Sequence, residues 1–173
     1  MRNGDHRATP MKSTKETLLK ILSEVHDPEI PVLNIVEMGI VRDVEYEGES
    51  VRVDITPTYS GCPAMKVIQD DIVSALNSNG YPVVSVNTVY TASWTTDWMD
   101  DSARQKLHRY GVAPAAEVST SAGAISSSPK QSVACPHCGS IETELISEFS
   151  STACKALYRC KRCIEPFEYF KPI

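Results

Sequence analysis

Val51-Arg52-Val53-Asp54-Ile55-Thr56-Pro57-Thr58-Tyr59-Ser60-Gly61-Cys62-Pro63-Ala64-Met65 decides the fold of the first part of this chain. Val51, Val53 and Ile55 alternate with Arg52 and Asp54, which is the period of a half-buried strand. Pro57, Gly61 and Pro63 then interrupt regular structure, and Pro63 suits the first turn of a helix. Met65, Ile68, Ile72, Val73 and Leu76 recur at helical spacing until Asn79-Gly80 stops them. The stretch therefore reads as strand, loop and helix, with Cys62 at the mouth of the helix.

Working outward, Ile40 to Tyr46 reads as a strand that turns through Glu47-Gly48-Glu49 into Val51–Ile55. Val83 to Tyr90 reads as a third β segment, with Val84, Val86 and Thr88 on one face and Val83, Ser85, Asn87 and Val89 on the other. Ser13 and Glu16 form a capping box ahead of Leu18, Leu19, Ile21, Leu22 and Val25. That helix must stop before Pro28, and Asp27-Pro28-Glu29-Ile30-Pro31 is a turn or loop. A last short helix is expected from about Asp100 to Tyr110. Residues 13–111 thus read α-β-β-α-β-α, an α+β domain on a small mixed sheet. Trp94 and Trp98 either cap the core of that sheet or form a surface for a partner.

The 173 residues suffice for one domain of roughly 100–120 residues and a small appended module. A net charge of -5 argues against broad electrostatic binding of nucleic acid. No apolar run reaches the ~20 residues that span a bilayer. Met1 to Met11 is polar, reads as a disordered lead with Met11 a second candidate start, and lacks the apolar stretch of a secretion signal. A cytoplasmic location is expected, where structural disulfides are rare, so the six cysteines need another explanation.

Residues 112–132 are dominated by Ala, Ser, Thr, Gly and Pro, the composition of a flexible linker. The segment 133–173 beyond it is too short to fold on apolar burial alone, and such pieces need a metal or disulfides. Cys135-Pro136-His137-Cys138 and Cys160-Lys161-Arg162-Cys163 are two Cys-x-x-Cys pairs separated by 21 residues. Four thiolates from two tight turns make a tetrahedral site suited to zinc. Strands over Ile141–Phe149, Ala156–Tyr158 and Phe167–Phe170 complete a β-rich ribbon. Two redox dithiols, free thiols, a rubredoxin-like iron or an iron–sulfur cluster are the other readings. Cys154 is either a small buried apolar residue or an exposed thiol with a role, and His137 lies inside the first turn, pointing away from the sulfurs.

Cys62 has a second reading besides packing at a helix start. Helix N–H groups and the helix dipole lower a thiol's pKa, which suits a reactive thiolate or a labile metal ligand. Asp27 and Glu29 either approach it or remain solvated carboxylates. His26 is a candidate base toward Cys62, but no third group that would orient it is evident. No glycine-rich phosphate loop, nucleotide fingerprint or Ser/His/Asp signature is present, so catalysis of its own is not expected.

Asp27-Pro28-Glu29-Ile30-Pro31, Gly39-Ile40-Val41, Thr56 to Pro63 and Trp94-Thr95-Thr96-Asp97-Trp98 together resemble the iron–sulfur-assembly domain family, known by its eukaryotic cytosolic assembly member. Ser151-Thr152-Ala153-Cys154-Lys155, Cys160 to Cys163 and Glu165-Pro166-Phe167 resemble the zinc-ribbon-bearing branch of that family that serves phenylacetate degradation. The resemblance implies a non-catalytic accessory protein that inserts or repairs an iron–sulfur cluster of the ring 1,2-phenylacetyl-CoA epoxidase, in its reductase component. It implies Asp27, Glu29, Thr58 and Cys62 as the functional pocket, zinc as the structural metal, and iron or a cluster held transiently. One cysteine cannot hold a cluster alone, so a homodimer, Cys154, a carboxylate or the client must supply further ligands.

Two other functions remain in view. One is a structural subunit of the multicomponent oxygenase without a maturation role. The other is a nucleic-acid-binding ribbon using Lys155, Arg159, Lys161, Arg162 and Lys171 beside Tyr158 and Tyr169. Glu142, Glu144, Glu148, Glu165 and Glu168 interleave with those bases and leave the ribbon near neutral, against that last reading.

Overall fold

The structure, a computed structural model, describes residues 14–48, 50–115 and 133–171. The polar lead, the Ser13 cap and residues 116–132 of the expected linker lie outside the described residues.

The order of elements in the first part is α1 (Lys15–Leu22), β1 (Val41–Glu47), β2 (Ser50–Ile55), α2 (Ala64–Ser78), β3 (Val83–Thr88) and α3 (Asp101–Tyr110). Thr14 caps α1, its hydroxyl accepting from the Thr17 N–H at 3.3 Å, and Asp100 caps α3 through the Ala103 N–H at 2.7 Å. β1 and β2 form an antiparallel hairpin, and β3 returns parallel to β2 after the α2 crossover, giving a three-stranded sheet in the order β1-β2-β3. Val44, Val51, Val53 and Ile55 face a core completed by Leu18 and Leu22 of α1 and by Ile68, Ile72 and Leu76 of α2. On the other face, Arg52 pairs with Asp54 at 2.6 Å and Asn87 donates to Asp54 at 3.0 Å in solvent. That alternation is why β2 was readable.

The second part is a four-stranded sheet in the order β4-β7-β6-β5, built from β4 (Val112–Ala113), β5 (Thr143–Ser147), β6 (Lys155–Cys160) and β7 (Pro166–Phe170). β5, β6 and β7 form an antiparallel meander, and β4 adds to β7 in parallel. The expected linker is therefore corrected at its start. Val112, Ala113 and Ala115 are buried, and β4 ties the end of α3 directly to the ribbon. Small residues mark flexible segments, but they also fit an edge strand that lies close against its neighbour.

The ribbon also enters the core of the first part. Phe170 is fully buried there and meets Trp94 edge to face, with centroids 5.7 Å apart. Trp94 is buried as well, donating its indole N–H to the Met38 carbonyl at 2.9 Å. Trp94 is thus a core residue, while Trp98 is half-buried beneath the Arg42 guanidinium, 3.5 Å from its ring centroid. Cys154 belongs to the same core.

Lys155 is buried beside it and donates to Glu168 at 2.7 Å, while Ser150 and Ser151 donate to the other carboxylate oxygen at 2.6 and 2.8 Å. Burial alone would raise the Glu168 pKa, but these donors overcome it and hold the group down at about 2. Its ionised form therefore adds stability above the unfolded value near ~4.3, and that contribution is lost as pH falls toward about 2. Glu168→Gln leaves a buried ammonium without its counter-charge and is expected to cost about 2 kcal/mol at neutral pH in denaturant unfolding. The gap from the natural chain should close on acidification, and a gap that is constant with pH contradicts this account.

Candidate functional site

The loop from Thr56 to Pro63 is fixed at both ends. Its Thr56 N–H donates to the Ile40 carbonyl at 2.9 Å and its hydroxyl to the Val89 carbonyl at 2.7 Å, which locks the end of β2 between its neighbours. Gly61 adopts φ +83°, a left-handed turn that brings the chain into α2. Cys62 follows it, half-buried, its N–H donating to the Tyr59 carbonyl at 3.2 Å. The Ala64 N–H and the Thr58 hydroxyl both act to lower the pKa of the Cys62 thiol, and Cys62 in turn acts to raise that of the Tyr59 phenol.

The Asp27 loop is stitched from within. One Asp27 carboxylate oxygen accepts from the N–H groups of Glu29 at 2.8 Å and Ile30 at 2.9 Å, and the Asp27 N–H donates to the Leu33 carbonyl at 3.0 Å. This is the turn geometry that the two prolines favour. Asp27 is buried, while Glu29 is half-buried and, among the described residues, its carboxylate accepts no hydrogen bond. Burial raises the pKa of both, the Asp27 charge raises Glu29 further, and the Lys155 ammonium opposes both shifts.

The charges of Glu29 and Asp27 and the Thr58 hydroxyl are all felt at the Cys62 thiol. The thiol pKa runs opposite to the expectation from its helix position. Burial pushes it up, the Ala64 N–H opposes, and the Glu29 and Asp27 charges push it further up. The helix effect is present but outweighed by desolvation and two carboxylates. Tyr59 is pushed up to about 12 by burial and then by Cys62, Glu29 and Cys154, so it remains a neutral phenol. His26 does not supply a base. It is exposed, and its Nδ1 lies 3.0 Å from the Glu24 carbonyl. A cavity of about 210 Å³ lies beside the loop, lined by Thr56, Thr58, Tyr59, Ser60, Tyr90 and Trp94 among others, and Cys62 is not in its wall.

Sequence reasoning missed Lys155 at this site. It stood among the ribbon's basic residues, yet it is buried against Glu168, and Arg159 and Lys161 both pair with Glu144. No local pattern connects residue 155 with residue 29; the ribbon fold brings the Lys155 charge within reach of that loop.

The four ribbon cysteines form a separate cluster. Their sulfurs all lie within 4.8 Å of one another, with Cys135–Cys163 at 3.7 Å and Cys138–Cys160 at 3.6 Å. Zinc–sulfur bonds of about 2.3 Å in a tetrahedron require sulfurs about 3.8 Å apart, so this donor set fits zinc. The Arg162 and Cys163 N–H groups donate to the Cys160 sulfur at 3.4 and 3.5 Å, as expected for a thiolate in such a turn. His137 is outside the set and lies against Gly111.

Both halves of the chain match known families. Residues 15–88 match the model "Iron-sulfur cluster assembly protein", and residues 119–171 match the "PaaD zinc beta ribbon domain". A crystal structure of a domain of unknown function, DUF59, from Bacillus anthracis shares the first fold at 29% identity and TM-score 0.51, covering 54% of this chain and 90% of that one. These define the class: an iron–sulfur-assembly-type domain joined to a zinc β-ribbon. A protein of Escherichia coli (strain K12), named as one of the subunits of a "Putative 1,2-phenylacetyl-CoA epoxidase", is 50% identical over 153 residues, 88% of this chain and 90% of its own length. The chain belongs to the PaaD family. The "Fe-S protein maturation auxiliary factor" of Porphyromonas gingivalis (strain ATCC BAA-308 / W83) is 31% identical over 96 residues, 54% of this chain and 90% of that protein. No helix among the described residues is long and apolar enough to cross a membrane.

The two cysteine turns differ in one respect. Each is followed by a residue at positive φ, Gly139 at +71° and Ile164 at +66°. A β-branched residue is strained there, and Ile164 is exposed, so little packing offsets the strain. Ile164→Asn is expected to stabilise the ribbon by about 1 kcal/mol, read as slower zinc loss to a chelator and a higher Tm. An unchanged or lower value contradicts the strain argument.

Proposed function

We propose that this chain is a maturation factor for the iron–sulfur cluster of the reductase component of a ring 1,2-phenylacetyl-CoA epoxidase, with Cys62 taking iron as transient cargo and Cys135, Cys138, Cys160 and Cys163 holding structural zinc. The observation that carries the reading is a half-buried Cys62 thiol at a helix mouth that feels the charges of Glu29 and Asp27. Such a group disfavours a free thiolate, because desolvation and two negative charges work against it. It favours a thiolate whose proton has been replaced by a cation, since the same carboxylates then attract the ion. A nucleophilic cysteine would need the reverse balance and an adjacent base. Thiolate is also the soft ligand that iron–sulfur chemistry uses. The names of the Escherichia coli and Porphyromonas gingivalis relatives supply the epoxidase and the maturation role respectively.

The Escherichia coli name also supports a second reading, a stoichiometric subunit of the oxygenase. One experiment separates the two. The reductase is produced with the natural chain or with Cys62→Ser, purified, and combined with the remaining epoxidase components. Maturation requires that reductase made with Cys62→Ser carries little cluster and gives at least tenfold less turnover, and that reductase already matured restores full turnover without this chain. Full cluster content with Cys62→Ser overturns the maturation reading. A requirement for the chain at every turnover, with matured reductase present, supports the subunit reading instead.

A further inference from the structure

The ribbon places one thiol where its own metal does not use it. Cys154 stands apart from the four sulfurs that lie within 4.8 Å of one another. It precedes β6, and its carbonyl accepts from the Lys171 N–H at 3.0 Å, which pins it to the end of β7. Its thiol is buried in the core of the first part of the chain, the core that also holds Phe170 and Trp94. Cys62 packs against this same core from the α2 side.

We propose that Cys154 is the second thiol of the Cys62 site, so that a ferrous ion is held by Cys62, Cys154 and the Glu29 carboxylate, three ligands from distant segments of one chain. This rests on the reading that Cys62 takes iron as cargo.

Three observations beyond the shared core support it. The neighbouring Lys155 ammonium opposes the upward pKa shifts of both Asp27 and Glu29, so its charge reaches the Asp27 loop. Phe170, the partner of Lys155 across β6 and β7, meets Trp94, and Trp94 lines one cavity with Thr58 and Tyr59, so the residues beside Cys154 adjoin the walls of the Cys62 loop. The side-chain partner of the Cys154 sulfur is the Thr152 hydroxyl at 3.0 Å, a bond a thiolate on a metal can keep.

The site is also open at rest. Among the described residues, the ribbon cysteines are the group of three or more candidate ligands whose donor atoms already lie within 4.8 Å of one another. Cys62, Cys154 and Glu29 must draw together around the ion, which suits cargo that has to be released, while the closed set suits a metal that stays. Binding replaces the two thiol protons, which pass to solvent, and two thiolates and one carboxylate then face one divalent cation without any change in iron oxidation state. The arrangement gives a monomer two of the sulfurs that a single cysteine could not supply.

The test uses the full chain with zinc in its ribbon, titrated anaerobically with ferrous ammonium sulfate. Iron X-ray absorption should count two sulfur ligands per iron in the natural chain and one in Cys154→Ser. Cys154→Ser should bind ferrous iron at least about tenfold more weakly, with zinc content unchanged. Equal affinity and an equal sulfur count in Cys154→Ser overturn the composite site while leaving Cys62 as the cargo ligand. Failure of the natural chain to bind iron, or binding by Cys62→Ser equal to the natural chain, overturns the cargo reading itself. Should Cys154→Ser fail to fold, the sulfur count of the natural chain decides alone, two supporting the proposal and one refuting it.

Discussion

The closure of four sulfurs into a set 3.6–3.7 Å apart along two of its edges is the constraint on which the rest of the molecule depends. The ribbon's own apolar cluster is small, built largely from Ala113, Ala115, Val133, Ala156, Phe167 and Tyr169 with two of the cysteines. Such a cluster cannot offset the chain entropy of ordering a ribbon. Coordination of a zinc ion by four thiolates supplies on the order of 10 kcal/mol or more and makes folding and metal binding one event. Once formed, the ribbon projects Phe170 against Trp94, adds β4 to β7, sets Cys154 into the core of the first part and brings the Lys155 charge within reach of Asp27. The metal site is thus distinct from the proposed cargo site, yet it determines whether that site has its full set of neighbours.

The electrostatics around Cys62 separate two uses of cysteine that look alike in sequence. A helix N-terminus and a ring of hydroxyls suggest an acidic, reactive thiolate. Burial with Asp27 and Glu29 reverses this, and the thiol keeps its proton until a cation takes the proton's place. Lys155 partly offsets the two carboxylates without binding either, because its ammonium is committed to Glu168. Asp27 spends one oxygen on the N–H groups of its own turn, so Glu29 is the carboxylate left available to an ion.

Much of this was legible because it is local. Alternation over Val51–Ile55, the stripe Met65–Leu76, the proline-stiffened turn at Asp27–Pro31 and the two Cys-x-x-Cys pairs each carry their meaning within a few residues. The bounds of the elements moved by one to three residues, as helix and strand ends do. What stayed hidden was long-range. Val112–Ala113 read as linker because nothing nearby says that β7 lies beside it. Lys155 read as a surface cation because its partner Glu168 and its neighbours Asp27 and Glu29 come from the fold and not from spacing. The direction of the Cys62 pKa was misread for the same reason. Its dipole is visible in sequence, whereas its burial and its two carboxylates are properties of packing.

The account stands most directly on a metal count. The natural chain and Cys62→Ser are loaded with ferrous iron under anaerobic conditions, freed of unbound metal, and assayed for zinc and iron with visible spectra. One zinc in both, and iron only in the natural chain, is the predicted result. Iron retained equally by both, or iron in the place of zinc, would contradict it.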